Sequence, residues 1–437
     1  MGTDFFYALL PEQGVLGLIL LLMVLEMLRR DPRVARLAFA AVMLAGLGVL
    51  MQQLMGGFSA EPVPGEVQVD RLALLGKAVL MACSLALALG FTHASGFKFW
   101  ILLASALLGG MVVLDSAGFA TLFIGIELLS LPAFALMVQG QGHTPASEGA
   151  FKYLLMSSVG TALLLFGISL AYGSTGSLAI ADFARVLSGS GPAQAAGLLV
   201  LCGLFVKAAV FPFHGWAPDA YAGARLPVTA VLASLVKAAV VLALLRITAS
   251  VVLEATVTSL VAALGIVSIV FGNVAALGQK RLKRMLAYSS VAHAGYMIFA
   301  LVDSTGSRIE DLLWYVAFYA FGTLLACAAF ARLSPAREGH PDDELAALDG
   351  QFARRPLAAL LLALAVLSLA GMPPFPGFFA KLFVFKSVIA SGHLVAAIAA
   401  FVGSFLGLAV YLNIVLRLFR SDADPATAAT RLRAEPH

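Results

Sequence analysis

The sequence predicts an all-α polytopic membrane protein of about 13 transmembrane helices, each span needing roughly 20 mostly apolar residues. Two observations carry this. Hydrophobic residues fill 61% of the 437 positions and charged residues only 12%, whereas soluble domains run near about half apolar and about a quarter charged. Mean hydropathy is +0.96, and apolar runs of span length follow one another so closely that little sequence remains for a soluble domain.

In chain order the runs fall at 8–28, 35–55, 71–91, 97–115, 117–139, 150–172, 196–214, 228–249, 252–277, 285–302, 312–332, 356–390 and 394–418. The first, rich in Leu from Gly14 to Met27, is followed by Arg29, Arg30, Arg33 and Arg36. No basic leader precedes it and no small-residue cleavage site follows, so it reads as a retained helix rather than a removed signal. The run at 356–390 is too long for one simple span and is interrupted by Pro373, Pro374 and Pro376. Proline lacks the backbone N–H, and freed carbonyls persist at membrane depth only inside protein or beside water, so a broken helix is expected there.

Loop charge sets the orientation. Alternate loops carry Arg29–Arg36, Lys98, Lys280–Arg284, the Arg332–Arg355 stretch and the tail residues Arg417, Arg420, Arg431 and Arg433. The intervening loops are acidic, with Glu61, Glu66, Asp70, Asp182, Glu254, Asp303, Glu310 and Asp311. Basic loops face the cytoplasm, which puts the N-terminus outside and the C-terminus inside, in agreement with an odd number of spans. The net charge of +4 is thus a matter of topology, and nucleic acid is not an expected partner; the lipid bilayer is. Cys83, Cys202 and Cys327 lie in apolar runs without paired spacing, so neither a disulfide framework nor a metal site is expected.

Charge inside a span costs at least about 2.5–3.5 kcal/mol for a central Asp, Lys or Arg, so such residues mark function. Four qualify: Glu127 in TLFIGIELLSLPAFAL, Lys207 in LCGLFVKAAVFPF, Lys237 in VLASLVKAAVVLALL, and Lys381 beside the proline break. A static Glu127–Lys207 pair that glues helices together is the bland alternative. Three deep lysines cannot all be neutralised by one deep glutamate, and the surplus points to lysines that exchange protons, with Glu127 moving toward or away from Lys207 to load or release one. His214 and His293, near span ends, extend such a path because imidazole titrates near neutrality. Each is equally well explained as a satisfied polar residue. Tyr288, Ser289, Ser290 and Tyr296 are candidates for holding water along it, or ordinary packing residues. Lys77 and Lys386, nearer span ends, read as snorkelling to the interface. Pro132 loosens the backbone near Glu127. No phosphate loop, metal-ligand cluster, haem or flavin signature or nucleophile triad is present, so no cofactor is expected in this chain.

Two segments look alike: VKAAVFPFHGWAPDAY (206–221) and GMPPFPGFFAKLFVFK (371–386) each join a Phe-Pro-Phe or Phe-Pro-Gly element to a lysine in an apolar run. Together with KRLKRMLAYSSVAHAGYM (280–297) and GIELLSLP (125–132), they resemble the antiporter-like subunits of proton-pumping NADH:quinone oxidoreductase, respiratory complex I. The Ala-His-Ala-Gly-Tyr ending, and lysine rather than glutamate at 381, point to the subunit N branch, the counterpart of mitochondrial chain 2. The resemblance runs from about residue 95 to 418; the first three spans match in layout only.

The resemblance implies two inverted five-helix repeats, the fourth to eighth and ninth to thirteenth spans, with broken seventh and twelfth helices. Residues 1–94 would then hold three N-terminal helices, 95–250 the first repeat, 251–420 the second, and 421–437 a disordered cytoplasmic tail. By motif, Glu127 and Lys207 would be the acid–lysine pair, Lys237 the central connecting lysine and Lys381 the lysine of the second half-channel; His214 and His293 also fall on family positions. The chain would be an enzyme subunit without redox chemistry of its own, in a bacterial cytoplasmic (inner) membrane. Flavin, iron–sulfur clusters and the quinone site would belong to partner subunits, and the neighbours would be other membrane-arm subunits, antiporter-like ones among them. Subunit N usually has a fourteenth helix, whereas SDADPATAATRLRAEPH after Arg420 cannot span; thirteen helices and a tail are expected. Two other readings share these features: a subunit of a multi-protein sodium/proton antiporter or membrane-bound hydrogenase, and a structural spacer that keeps the fold.

Overall fold

A bilayer interior offers no water to backbone N–H and C=O groups, so apolar runs of this length fold as helices. The computed structural model of the chain describes residues 2–91, 96–139, 144–189, 191–249, 251, 253–334 and 343–420. The expected tail, 421–437 with Arg431 and Arg433, lies outside the described residues. Among those described, 12 helices are long and apolar enough to cross a membrane. We number the crossing segments α1 (Leu10–Met27), α2 (Pro32–Met55), α3 (Arg71–Gly90), α4 (Phe97–Asp115), α5 (Phe119–Val138) and α6 (Thr144–Thr175). Then come α7a (Pro192–Ala208) and α7b (Ala217–Gly223), α8 (Leu226–Thr248), α9 (Ala255–Leu277), α10 (Leu282–Val302) and α11 (Arg308–Leu333). A thirteenth crossing, too broken to be one helix, is α12a (Pro356–Ala370) with α12b (Pro376–Ala390), and α13 (Leu394–Leu418) closes the bundle.

Hydropathy alone does not rank these helices, but burial does. The apolar stretch of α8 is buried on all sides and that of α10 nearly so, while α1 and α2 leave most of their surface exposed. A helix that is apolar all round sits in the middle of a large bundle. The central helices are therefore the two that carry Lys237 and His293.

Between α2 and α3 the acidic loop forms a small hairpin, β1 (Ala60–Val63) and β2 (Val67–Val69), paired antiparallel with Ala60 opposite Val69. It fastens the first three helices to the rest. The Glu66 carbonyl accepts from the Ala117 amide at 2.9 Å, and its carboxylate accepts from the Thr121 hydroxyl at 2.7 Å. Asp70 caps α3 by accepting from the Ala73 amide at 2.9 Å and pairs with Arg246 near the end of α8 at 2.5 Å. Arg246 also donates to the carbonyls of Ser116 and Gln68.

Both expected breaks are present, the one read from the prolines at 373–376 and the one in the seventh helix that the family resemblance implies. α7a stops at Ala209, in the left-handed region at φ 56°, and a short 3-10 turn (Phe213–Trp216) leads into α7b. α12a stops at Gly371, at φ +80°, and resumes at Pro376. Each stop frees carbonyls that need partners, and a side chain from beyond the break supplies one in each case. The Trp216 indole donates to the Val206 carbonyl at 2.9 Å, and Lys381 Nζ donates to the Ala370 carbonyl at 2.8 Å.

Candidate functional site

Lys207 is the next-to-last residue of α7a, so the break holds its ammonium at a fixed depth. Its Nζ lies 3.2 Å from Glu127 Oε1, and donates to the hydroxyls of Ser130 at 3.2 Å and Ser157 at 3.0 Å. Glu127 also accepts from the Thr161 hydroxyl at 2.6 Å. The pair is lopsided: the Lys207 side chain is 3% exposed, that of Glu127 26%. The carboxylate thus lies at the edge of the bundle and the amine inside it.

Lys237 follows a single turn of π-helix, Leu232–Val236, in α8. Such turns widen the helix and recur at functional sites. Its Nζ donates to the Ser290 carbonyl of α10 at 2.7 Å, with no carboxylate in reach of an ion pair among the described residues. The Ser290 hydroxyl in turn is 3.3 Å from the Tyr221 hydroxyl of α7b. One contact chain therefore joins the far side of the first break to the central lysine.

Lys381 sits five residues into α12b. Besides the Ala370 carbonyl it donates to the Ser404 hydroxyl at 3.1 Å, and its Nζ lies 4.8 Å from the centre of the Tyr296 ring, a cation–π distance. Gly371 is needed twice over, for its positive φ and because a Cβ there would meet Lys381 Cδ at 2.8 Å. Gly377 permits the closest approach of the break: a Cβ would fall 1.8 Å from the Ser368 carbonyl oxygen. A cavity of about 300 Å³ opens beside Lys381, lined by Met372, Phe378, Phe385, Phe401 and Phe405.

His293 occupies the middle of α10 rather than a span end. Its Nδ1 is 2.9 Å from the Tyr315 hydroxyl and its Nε2 3.2 Å from the Tyr411 hydroxyl, which also bonds Ser289. With Tyr296 packed on its ring, His293 lies between Ser290, which touches Lys237, and Tyr296, which touches Lys381. His214 is not part of this line. It stands in the 3-10 turn after α7a, and its ring packs on Phe211 and Phe271 at 5.4 and 4.6 Å.

A second expectation is overturned. Lys77 does not snorkel: it is wholly buried, 2.7 Å from Glu12 and 2.6 Å from Asp115. Its position six residues into α3 resembles an interfacial one, but α3 turns that face onto α1 and α4, where two acids await it. Lys386 is exposed near the end of α12b, as a snorkelling residue would be. Two basic residues near the α7b end, Lys152 with Asp219 at 2.6 Å and Arg284 with Asp219 at 3.6 Å, form a further charged group that the sequence did not single out. Among the described residues no three His, Cys, Asp or Glu side chains are grouped to hold a metal ion.

Comparison with known proteins agrees with this architecture. Residues 116–407 match the family described as NADH:quinone oxidoreductase/Mrp antiporter, TM. A protein of Pelobacter propionicus named NADH-quinone oxidoreductase subunit N is 55% identical over 426 residues, covering 97% of this chain and 91% of that protein. A chain of the respiratory complex I of Thermus thermophilus solved with bound aureothin superposes with a TM-score of 0.83 at 33% identity, covering 95% of this chain and 91% of that one. A chain of the Mrp complex from a Dietzia species superposes with a TM-score of 0.86 over 97% of this chain and 82% of that one, but at 24% identity this likeness shows the fold alone. The chain therefore belongs to the NADH:quinone oxidoreductase/Mrp antiporter transmembrane family, in its NADH-quinone oxidoreductase subunit N branch.

Proposed function

We propose that the chain moves protons across the membrane as the subunit N of an NADH:quinone oxidoreductase, through Glu127, Lys207, Lys237, His293 and Lys381. The observation that carries this is the placement of buried amines at both helix breaks and between them, linked by hydroxyls and an imidazole. A charge fixed at such depth is costly, whereas a proton passed along the line is accommodated in turn by Ser130, Ser157, Ser290 and Ser404. His214 lies off the line, at the mouth of the first break.

On this reading, NADH oxidation and quinone reduction take place in partner subunits that hold flavin, iron–sulfur clusters and the quinone site. Neighbouring membrane-arm subunits, antiporter-like ones included, contact this chain, and the partly exposed Glu127 carboxylate suits such a contact. Residues 95–250 and 251–420 form two inverted repeats about the breaks, preceded by the three helices of 1–94 and followed by the tail 421–437. Basic loops at alternate ends favour an N-terminus outside and a C-terminus in the cytoplasm of a bacterial inner membrane. The sodium/proton antiporter alternative is supported by fold likeness alone, while the subunit N reading has a relative 55% identical along nearly the whole chain.

The test is proton translocation per NADH in the assembled complex carrying Lys207→Met or Glu127→Gln. The expected result is a lowered ratio with assembly, and NADH oxidation by an artificial acceptor, intact. An unchanged ratio in both variants would make the chain a structural spacer.

A further inference from the structure

The lysine line leaves one buried charge cluster unused. Lys77 on α3 has Glu12 of α1 and Asp115 of α4 on either side, at 2.7 and 2.6 Å. Glu12 is 8% exposed, Asp115 2% and Lys77 0%. Both carboxyl groups close on the same ammonium, and Glu12 Oε2 is buried without a hydrogen-bond partner. All three residues precede the segment 116–407 that matches the family, so the cluster belongs to the N-terminal helices and their seam with α4.

Its charge does not balance. Two acids face one base, so the fully ionised cluster carries one net negative charge. The packed elements do not make up the difference. α2 buries only uncharged residues, Phe39, Met43, Leu50 and Gln53 among them. In α8, Lys237 is held on the Ser290 carbonyl and Arg246 on Asp70. In α11, Arg308 is held on the carbonyls of Thr248 and Val251. An uncompensated buried charge is strongly unfavourable, and one proton held between the two acids would leave the cluster neutral.

We propose that Glu12, Lys77 and Asp115 form a proton-binding site that holds one shared proton, separate from the lysine line. The site opens toward the hairpin end of the bundle. Glu12 is in the first turns of α1, Asp115 is the last residue of α4, and Val67 of β2 bridges to Ser116 just beyond it. Lys77 lies six residues into α3, about 9 Å below its start at about 1.5 Å per residue. The proton exchanges with water on that side through Glu12, the most exposed member of the three.

Infrared difference spectra of the assembled complex, wild type against Glu12→Gln and against Asp115→Asn, test this. The expected result is a protonated-carboxyl carbonyl band in the wild type that shifts in heavy water and is lost in each variant, because either amide leaves one acid, one base and no shared proton. Identical spectra in the carboxylic-acid region would overturn the proposal, since the cluster would then be fully ionised. Failure of both variants to assemble would overturn it too, because an amide reproduces the neutral shape of a protonated acid. The readout is a vibrational band rather than pumping, so it stands or falls independently of the proposed relay.

Discussion

The two helix breaks use the same device with different partners. At the first, Lys207 faces a carboxylate and two hydroxyls; at the second, Lys381 faces a carbonyl, one hydroxyl and an aromatic ring. The first is an ion pair whose charge state depends on both members. The second has no acid of its own among the described residues, so any charge on Lys381 is balanced only by dipoles and by the Tyr296 ring. The comparison teaches that a lysine at a helix break needs an acceptor, and that the acceptor's charge decides whether the lysine titrates alone or as half of a pair.

Backbone packing at the breaks differs as well, and here the largest effect is expected. Gly377→Val would drive a side chain into the Ser368 carbonyl, 1.8 Å from the Cβ position, whereas nothing lies within 4 Å of a Cβ on Gly215. Gly377→Val should therefore abolish incorporation of the subunit into membranes, while Gly215→Ala should accumulate as wild type does; immunoblots of native gels check both. Equal loss in the two would mean that the breaks are packed alike.

The ion pair at the first break predicts a non-additive mutant pair. Lys207→Met leaves Glu127, among the described residues, with the Thr161 hydroxyl alone, so adding Glu127→Gln should restore part of the lost stability, with a coupling of about 1–3 kcal/mol. Lys381→Met strands no acid and should show no comparable rescue by Ser404→Ala. Thermal unfolding of the detergent-solubilised complex in each cycle measures both couplings, and a coupling at Lys381 as large as that at Lys207 would erase the distinction.

Smaller effects follow from single bonds. Trp216→Phe removes the donor to the Val206 carbonyl at the first break and should cost about 1–2 kcal/mol, read as a lower midpoint of heat inactivation. In the loop between α10 and α11, burial pushes the Asp303 carboxyl up, but bonds from the Thr305 hydroxyl and amide and the Ser391 hydroxyl outweigh it and hold the carboxyl below its ordinary value. Its contribution is therefore complete above the ordinary carboxylate range, near about 3.9, and is lost as pH falls through the folded value. Asp303→Asn should lower stability at neutral pH by about 1 kcal/mol, converge with the wild type in acid, and so flatten the acid limb of the stability–pH profile.

Much of this was legible in the residues. Thirteen crossings follow from run length, the second break from Pro373, Pro374 and Pro376, and the four deep charges from their cost in an apolar run. What escaped was whatever depends on which face a helix turns inward. Lys77 reads as interfacial by its distance from the start of α3, and only the packing of α1 and α4 brings Glu12 and Asp115 to it. The π-turn before Lys237 is made of ordinary apolar residues, Leu232–Val236, and carries no sequence mark. The hairpin at 60–69 shows as an acidic loop because its two strands are too short for alternation to register. The basic residues of Lys280–Arg284, buried in part against the 343–348 segment, hide the first turn of α10 from a hydropathy reading, so the run starts at 285 where the helix starts at Leu282.

The central claim is that the buried lysines carry protons, and Lys237 tests it most directly because it lies between the breaks and pairs with no acid among the described residues. In sealed vesicles holding the assembled complex with Lys237→Met, the protons translocated per NADH should fall while NADH oxidation by an artificial acceptor holds. A ratio equal to the wild type, with assembly verified, would contradict the account.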